Sequence, residues 1–274
     1  MLSVNTNVGA MVALQYLNKT NSDLMATQSA INSGLKVAGP KDNGAVYAIA
    51  QNMRGNVAGF QAVSDSLNRA ISNVDVALAA GQSISDLLNE MKGKALAAAD
   101  ASLDTASRNA LNADFTALRD QITTIVQNAT FNGTNLVDGS VVNIQALAST
   151  DGTKRITVDG QNLSLSGTIV TVSSGASIST SAGASTMIAA INASIQNVNA
   201  SLATLGAGSK KFSLQNDFVS KLVDTLNSGI GNLVDADMAT ESATLQSLQV
   251  KQQLGVQALA IANSSPSIAL SLFR

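Results

Sequence analysis

Phe60-Gln-Ala-Val63-Ser-Asp-Ser-Leu67-Asn-Arg-Ala70-Ile-Ser-Asn-Val74-Asp-Val-Ala77 places an apolar or small residue at alternating steps of three and four. That spacing keeps one stripe on one side of an α-helix. Outward from this stretch the stripe runs back through Met53, Ile49 and Val46. It runs forward through Ile84, Leu88, Met91 and Ala95, with Asn56 and Gly81 as its weak members. A helix over residues 45–100 would be about 80 Å long at 1.5 Å per residue. That exceeds an ordinary globular core, so the stretch predicts a rod.

Two further stripes accompany it. Leu111, Phe115, Leu118, Ile122 and Ile125 form a second, with Asp104 placed to cap it through its carboxylate. Phe131-Asn-Gly133 ends helical character. Ile188, Ile191, Ile195, Val198, Leu202, Leu205, Phe212, Val219, Val223, Leu226, Ile230 and Leu233 form a third. Gly206-Ala-Gly208 interrupts it locally, but the heptad phase is the same on both sides. A loop would lose phase, so one helix is expected through 188–233, weakened by about 1 kcal/mol per Gly. Residues 140–186 differ, being rich in Ser, Thr, Gly, Val and Ile. Val141–Ala148 and Arg155–Val158 flank the turn Ser149-Thr-Asp-Gly152 and predict a hairpin. A third short strand is expected near Leu163–Val172, and an exposed loop over Ser173–Thr186.

The 274 residues contain no Cys, His or Trp, and the formal charge is -2. These absences remove disulfides, thiolate nucleophiles, the commonest neutral-pH base and the commonest metal ligand. A near-neutral balance also lacks the basic face that a nucleic-acid binder needs. No basic n-region precedes Lys19, which argues against a cleavable Sec signal, and no run of about 18 apolar residues predicts a membrane span. Charged residues are 12% of the chain, about half the usual ~25%. A chain so poor in charge either folds as an unusually apolar monomer or assembles.

The ends carry this feature furthest. Residues 1–35 hold only Lys19 and Asp23, and residues 242–274 only Lys251 and Arg274. Leu14, Leu17, Leu24, Ile31 and Leu35 fit heptad steps, with Asn21 and Gln28 as polar members. Met238, Leu245, Leu248 and Leu259 do the same, with Gln252 between. A second stripe, Val250, Leu254, Ala258 and Ile261, lies on another face. Helices apolar on more than one face need more than one partner. The predicted assembly surface is therefore Leu14, Leu17, Leu24, Ile31, Leu35, Leu245, Leu248, Leu254, Leu259, Ile261 and Phe273. In an isolated chain such ends are expected to be disordered, since burial would not offset ordering at about 1–2 kcal/mol per residue. Gly39-Pro40 and Asp235/Asp237 mark joints between the ends and the rod. The layout is mainly α: a long coiled-coil-like rod with paired terminal helices and a small β-hairpin insert. It divides as a terminal helix 1–38, a joint 39–45, rod 46–130, hairpin and insert 131–186, rod helix 187–233 and a terminal helix 234–274.

Val4-Asn-Thr-Asn7 and Ile31-Asn-Ser-Gly-Leu-Lys-Val37 resemble the bacterial flagellin motifs I-N-T-N and L-S-S-G-x-R-I. Asp235-Ala-Asp-Met-Ala-Thr-Glu241 is similar to D-A-D-x-A-x-E. Gln257-Ala-Leu-Ala-Ile-Ala-Asn263 is similar to Q-A-L-x-I-A-N, and the closing Leu270-Ser-Leu-Phe-Arg274 matches as well. The resemblance covers roughly 1–140 and 186–274 and is nearest to the short flagellins of α-proteobacteria. It implies a structural subunit of the flagellar filament used for motility, with the terminal helices forming an inner tube. It further implies export through the flagellar type III apparatus with its chaperone. The implied partners are copies of the chain itself, alone or with sibling flagellins, and cap and junction proteins. The implied location is extracellular. A secreted coiled-coil adaptor, such as a hook–filament junction protein, shares the plan and is the alternative. Here the joint reads Gly39-Pro-Lys-Asp-Asn-Gly-Ala45 with one acid, where the family often has two. Met91-Lys-Gly-Lys-Ala-Leu-Ala-Ala-Ala99 lacks the Glu of the stretch read by an animal innate immune receptor, so weak or absent recognition is expected.

No catalytic, cofactor or metal site is predicted, and an enzyme is not expected. Gly206-x-Gly208 is half a nucleotide fingerprint without its strand. Asp235, Asp237 and Glu241 read as helix caps at a joint rather than as metal ligands. Asn-x-Ser/Thr at Asn132 and Asn162 is chance in so Asn-, Ser- and Thr-rich a chain. The resemblance makes Ser and Thr of 164–186 the better place for sugars, O-linked.

Overall fold

The structure is a computed structural model that describes residues 6–271, with side-chain surroundings to residue 264. Five α-helices dominate: α1 Val8–Ser33, α2 Gly44–Ala99, α3 Thr105–Asn128, α4 Ser181–Val234 and α5 Met238–Ser271. Two small antiparallel pairs lie between α3 and α4. They are β1 Thr130–Phe131 with β2 Thr134–Asn135, and β3 Asn143–Leu147 with β4 Arg155–Asp159. The chain divides into two compact units, Met1–Gly55 with Thr225–Arg274, and Asn56–Asp224.

In the larger unit the stripes meet as expected. Val63, Leu67, Ala70, Val74, Ala77, Ile84, Leu88, Met91 and Ala95 of α2 join one core. Phe115, Ile122 and Val126 of α3 and Ile191, Val198, Leu205, Phe212 and Val219 of α4 complete its helical part. Asp104 caps α3, its carboxylate accepting from the amides of Ala106 (3.1 Å) and Ser107 (3.2 Å). Arg108 closes α2 by donating to the carbonyls of Ala98 and Asp100 at 2.9 and 2.8 Å. After α3 the chain reverses at Asn132-Gly133, both at positive φ (49° and 76°), as a two-residue hairpin turn requires.

α4 runs unbroken through Gly206 and Gly208. The two glycines have different reasons to be there. A Cβ at Gly208 would lie 2.6 Å from Val158 Cγ1 and 2.8 Å from Cγ2, so β4 packs directly on the helix backbone at that point. Gly206 has open space around its Cα. Gly206→Ala is therefore expected to stabilise the protein by about 1 kcal/mol, the propensity difference alone. Gly208→Ala meets a β-branched side chain with little freedom to move and is expected to cost about 1–3 kcal/mol. Urea titration of the two variants should show midpoints shifting in opposite directions; equal shifts would contradict the packing described.

Residues 163–178 differ from expectation. Leu163–Val172 is not a strand. Ser166 takes φ 63°, and the segment bonds to itself, the Ser166 amide donating to Val172 O and the Gly167 amide to Val170 O. The segment beyond it is not a freely exposed loop either. Val170, Val172, Ala176 and Ile178 are buried. Asn112 Oδ1 accepts from the Ile178 amide at 2.7 Å, and Arg119 donates to Ala176 O at 2.9 Å. The insert also ends earlier than read, since α4 begins at Ser181, whose hydroxyl donates to Ala99 O.

Candidate assembly surface

In the terminal unit α1 and α5 pack along each other. In this single chain they are paired helices. One stripe from each makes the seam. Leu248 is buried, and Leu17, Leu24, Ile31, Leu245 and Leu259 are half-buried. Leu17 Cδ1 lies 3.2 Å from where a Cβ on Gly255 would stand, so the helices approach closely there. The polar heptad members Asn21 and Gln252 meet inside the seam, Gln252 Nε2 donating to Asn21 Oδ1 at 2.7 Å. A half-buried polar pair of this kind fixes register, because a slipped pairing would leave both amides unpaired. Asn7 caps α1 through the Ala10 amide and also donates to Ala262 O at 2.6 Å.

The two joints pair with each other. Leu35 and Asp235 form an isolated antiparallel bridge, the Lys36 amide donates to Val234 O, and the Ala236 amide donates to Gly34 O. Lys36 Nζ donates to Asn232 O at 3.0 Å, a cation set at the negative end of α4. The single acid of the first joint, Asp42, accepts from the amides of both Ala38 and Gly39 at 2.9 Å.

Asp237 opens α5. Its carboxylate accepts from the Thr240 hydroxyl (2.6 Å) and the Ala239 amide (3.0 Å). These bonds, the Thr240 hydroxyl first, hold its carboxyl below the ordinary 3.8. A depressed folded value means the cap stabilises at pH above the ordinary carboxylate value. The contribution is lost as pH falls through the lower folded value. Asp237→Asn is expected to be less stable than the parent at neutral pH, with the difference shrinking at acid pH. Thermal melts at pH 7 and at pH 2–3 would check this; a constant difference would contradict the cap. Among the described residues no three His, Cys, Asp or Glu side chains gather as a metal site.

The structure divides the predicted assembly residues. Leu17, Leu24, Ile31, Leu245, Leu248 and Leu259 face the seam, and Leu35 lies half-buried at the joint. Leu14, Leu254 and Ile261 are 47%, 57% and 70% exposed. Phe273 lies outside the described residues. The stripe Val250, Leu254, Ala258 and Ile261 stands on the side of α5 away from Leu248, all four exposed. Val8, Met11, Tyr16 and Met25 of α1 are exposed as well, and the heptad reading passed over them. The charge-poor composition of the ends carries their signal, but they stand out of phase with the main stripe. An apolar surface of this extent on a charge-poor helix pair marks an interaction site.

The comparisons with known proteins agree with this geometry. The family model for the bacterial flagellin N-terminal helical region matches residues 4–142, and that for the C-terminal helical region matches residues 188–273. The chain belongs to the bacterial flagellin family. Flagellin FljK of Caulobacter vibrioides is 54% identical over 99% of this chain and 98% of its own length. Flagellin FljM of the same organism is 53% identical over the same shares. A flagellin of Brucella melitensis is 36% identical over the whole of both chains. The flagellin fold recurs in the crystal structure of Bacillus cereus flagellin, with TM-score 0.51 and 22% identity over 56% of this chain and 88% of that one. This flagellin is a structural subunit of the bacterial flagellar filament, and it self-assembles. Its short length and full-length matches place it with the α-proteobacterial forms.

Proposed function

We propose that α1 and α5 form the inner layer of the filament, lining a central channel. The observation that supports this is the second apolar face of α5, Val250, Leu254, Ala258 and Ile261. It is exposed in the monomer although α1 already covers the first face. Two apolar faces on one helix need two partners, and the chain supplies one. Neighbouring copies supply the other. On this reading the subunit reaches its place outside the cell by flagellar type III export with a dedicated chaperone. It meets cap and junction proteins at the filament ends and co-polymerises with sibling flagellins. We assign it no catalytic role, and no nucleic-acid or membrane partner.

The domain division follows from the same reading: residues 1–38 and 234–274 for assembly, 39–45 as the joint, 46–130 and 187–233 as the rod, and 131–186 as the hairpin and variable insert. A junction adaptor has one point in its favour. A protein from Vibrio parahaemolyticus described as flagellar hook-associated shares the fold with TM-score 0.60, over 71% of this chain and all of that one. At 13% identity that likeness concerns the fold alone. Electron microscopy of purified protein decides between the two. Micrometre-long tubes whose innermost density is a helix pair are expected. Absence of tubes under polymerising conditions would favour the adaptor, and tubes with an innermost layer built from the insert would remove the proposal.

A further inference from the structure

Outside the terminal helices, α4 carries a second pair of exposed large apolar side chains. Leu214 is 59% exposed and Phe218 57%. They stand one helical turn apart, on the side of α4 away from the buried Phe212 and Val219. A single exposed Leu is ordinary, but a Leu–Phe pair stacked at i, i+4 is a contiguous apolar knob. Exposed lysines Lys210, Lys211 and Lys221 rim it.

The same unit holds a groove that suits this knob. Between α2 and α4 lies an open groove of about 210 Å³, with Phe60, Val219 and Val223 as its apolar lining. Gln61, Ser64, Ser220 and Asp224 form its polar lining. Ser64 Oγ donates to Asn216 Oδ1 at 2.6 Å, and Asn216 Nδ2 donates to Asn68 Oδ1 at 2.9 Å, so hydrogen bonds fix the two helices beside it. Asp224 is the acid of this lining, while the exposed Asp217 flanks the knob, three residues from Leu214. Around α4 the groove and the knob are roughly 170° apart at 100° per residue.

We propose that the Leu214/Phe218 knob of one subunit seats in the Phe60/Val223 groove of a second copy, with Lys211 meeting Asp224. Charge complementarity selects that occupant: Lys210 and Lys211 stand beside the knob and Asp224 lines the groove. Because they occupy different faces, the contact is heterologous. A heterologous contact leaves a free knob and a free groove after each addition and propagates without closing. The proposal rests on the filament reading but not on which helices line the channel.

The absence of Cys makes the test clean. Phe218→Cys and Gln61→Cys are made as separate chains, polymerised alone and as an equal mixture, then oxidised and run on a denaturing gel. Disulfide dimers are expected from the mixed filaments and from neither pure one. Normal mixed filaments without dimers overturn the proposal, as do dimers from Phe218→Cys filaments alone, which would make the knob meet itself. The charge pair gives a second measurement that spares the apolar side chains. Lys211→Glu is expected to slow elongation about three- to tenfold at low salt, and adding Asp224→Lys to the same chain to restore it to within about twofold. No slowing, or no restoration, overturns it. Failure of the unmodified chain to polymerise would instead remove the filament reading beneath it.

Discussion

Leu67→Asp is expected to unfold the larger unit at neutral pH. Leu67 is fully buried, at the centre of the α2 stripe among Val63, Ala70 and Val74. Removing a buried Leu from a close-packed core costs about 2–5 kcal/mol through lost burial and cavity formation. The introduced carboxyl adds a second cost, since it would stand among apolar side chains. At a fully buried position it must stay charged without water or take up a proton, either of which costs several kcal/mol. Together these approach the whole stability of a typical domain, about 5–15 kcal/mol. The measurement is a chemical or thermal melt followed by helical circular dichroism, in which the cooperative transition should be lost or its midpoint fall by more than about 10 °C. Gln61→Asp is the control, on the same helix at an exposed position, with an expected change within about 0.5 kcal/mol. The sign with pH is also set. Burial raises the pKa of the introduced carboxyl, so part of the loss should be recovered on acidification. A Leu67→Asp protein as stable as its parent would mean that the heptad stripe of α2 is not the core.

The elements legible in the sequence are those whose evidence is local and repeated. A stripe such as Leu67–Ala70–Val74 states its own period over many turns, so α2 could be bounded within a residue or two. The phase continuity across Gly206-Ala-Gly208 carried α4 through its weakest point. The sequence could not show why Gly208 is there, because Val158 reaches it only across the folded hairpin. Residues 163–178 failed for the same reason. Their apolar residues alternate enough to suggest a strand. Their backbone is instead held by Asn112, Arg119, Ser194 and Asn197, side chains on α3 and α4 far away in sequence. No local pattern encodes such anchors. At the ends the residue types were legible and the partners were not. Periodicity found two stripes on α5 but could not say that Leu248 faces α1 within the chain while Leu254 faces outward. Asn21 and Gln252 were visible as polar interruptions, yet their pairing required the helices to be brought together.

That division changes what a charge does at each position. Leu254→Asp is expected to leave the monomer intact and abolish filaments. At 57% exposure in the single chain the new carboxylate remains hydrated, so helical circular dichroism and the melting midpoint should match the parent. In a polymer that buries the Val250–Ile261 stripe against neighbouring copies, the same carboxylate enters an apolar seam. An unpaired buried charge costs several kcal/mol. At about 4 kcal/mol per added subunit the association constant falls roughly a thousandfold, and the concentration needed to sustain elongation rises by the same factor. Ile261→Asp, one face-repeat further along and 70% exposed, should behave alike. Leu248→Asp should not. Leu248 is only 7% exposed, within the α1–α5 seam, so that substitution opens the terminal pair in the monomer itself. It should lose helical signal and become susceptible to protease at both ends, besides failing to polymerise. The three variants thus separate two surfaces that the sequence presents as one. Normal filaments from Leu254→Asp and Ile261→Asp, seen by electron microscopy at the parent's polymerising concentration, would mean that the outward face of α5 is not where subunits meet.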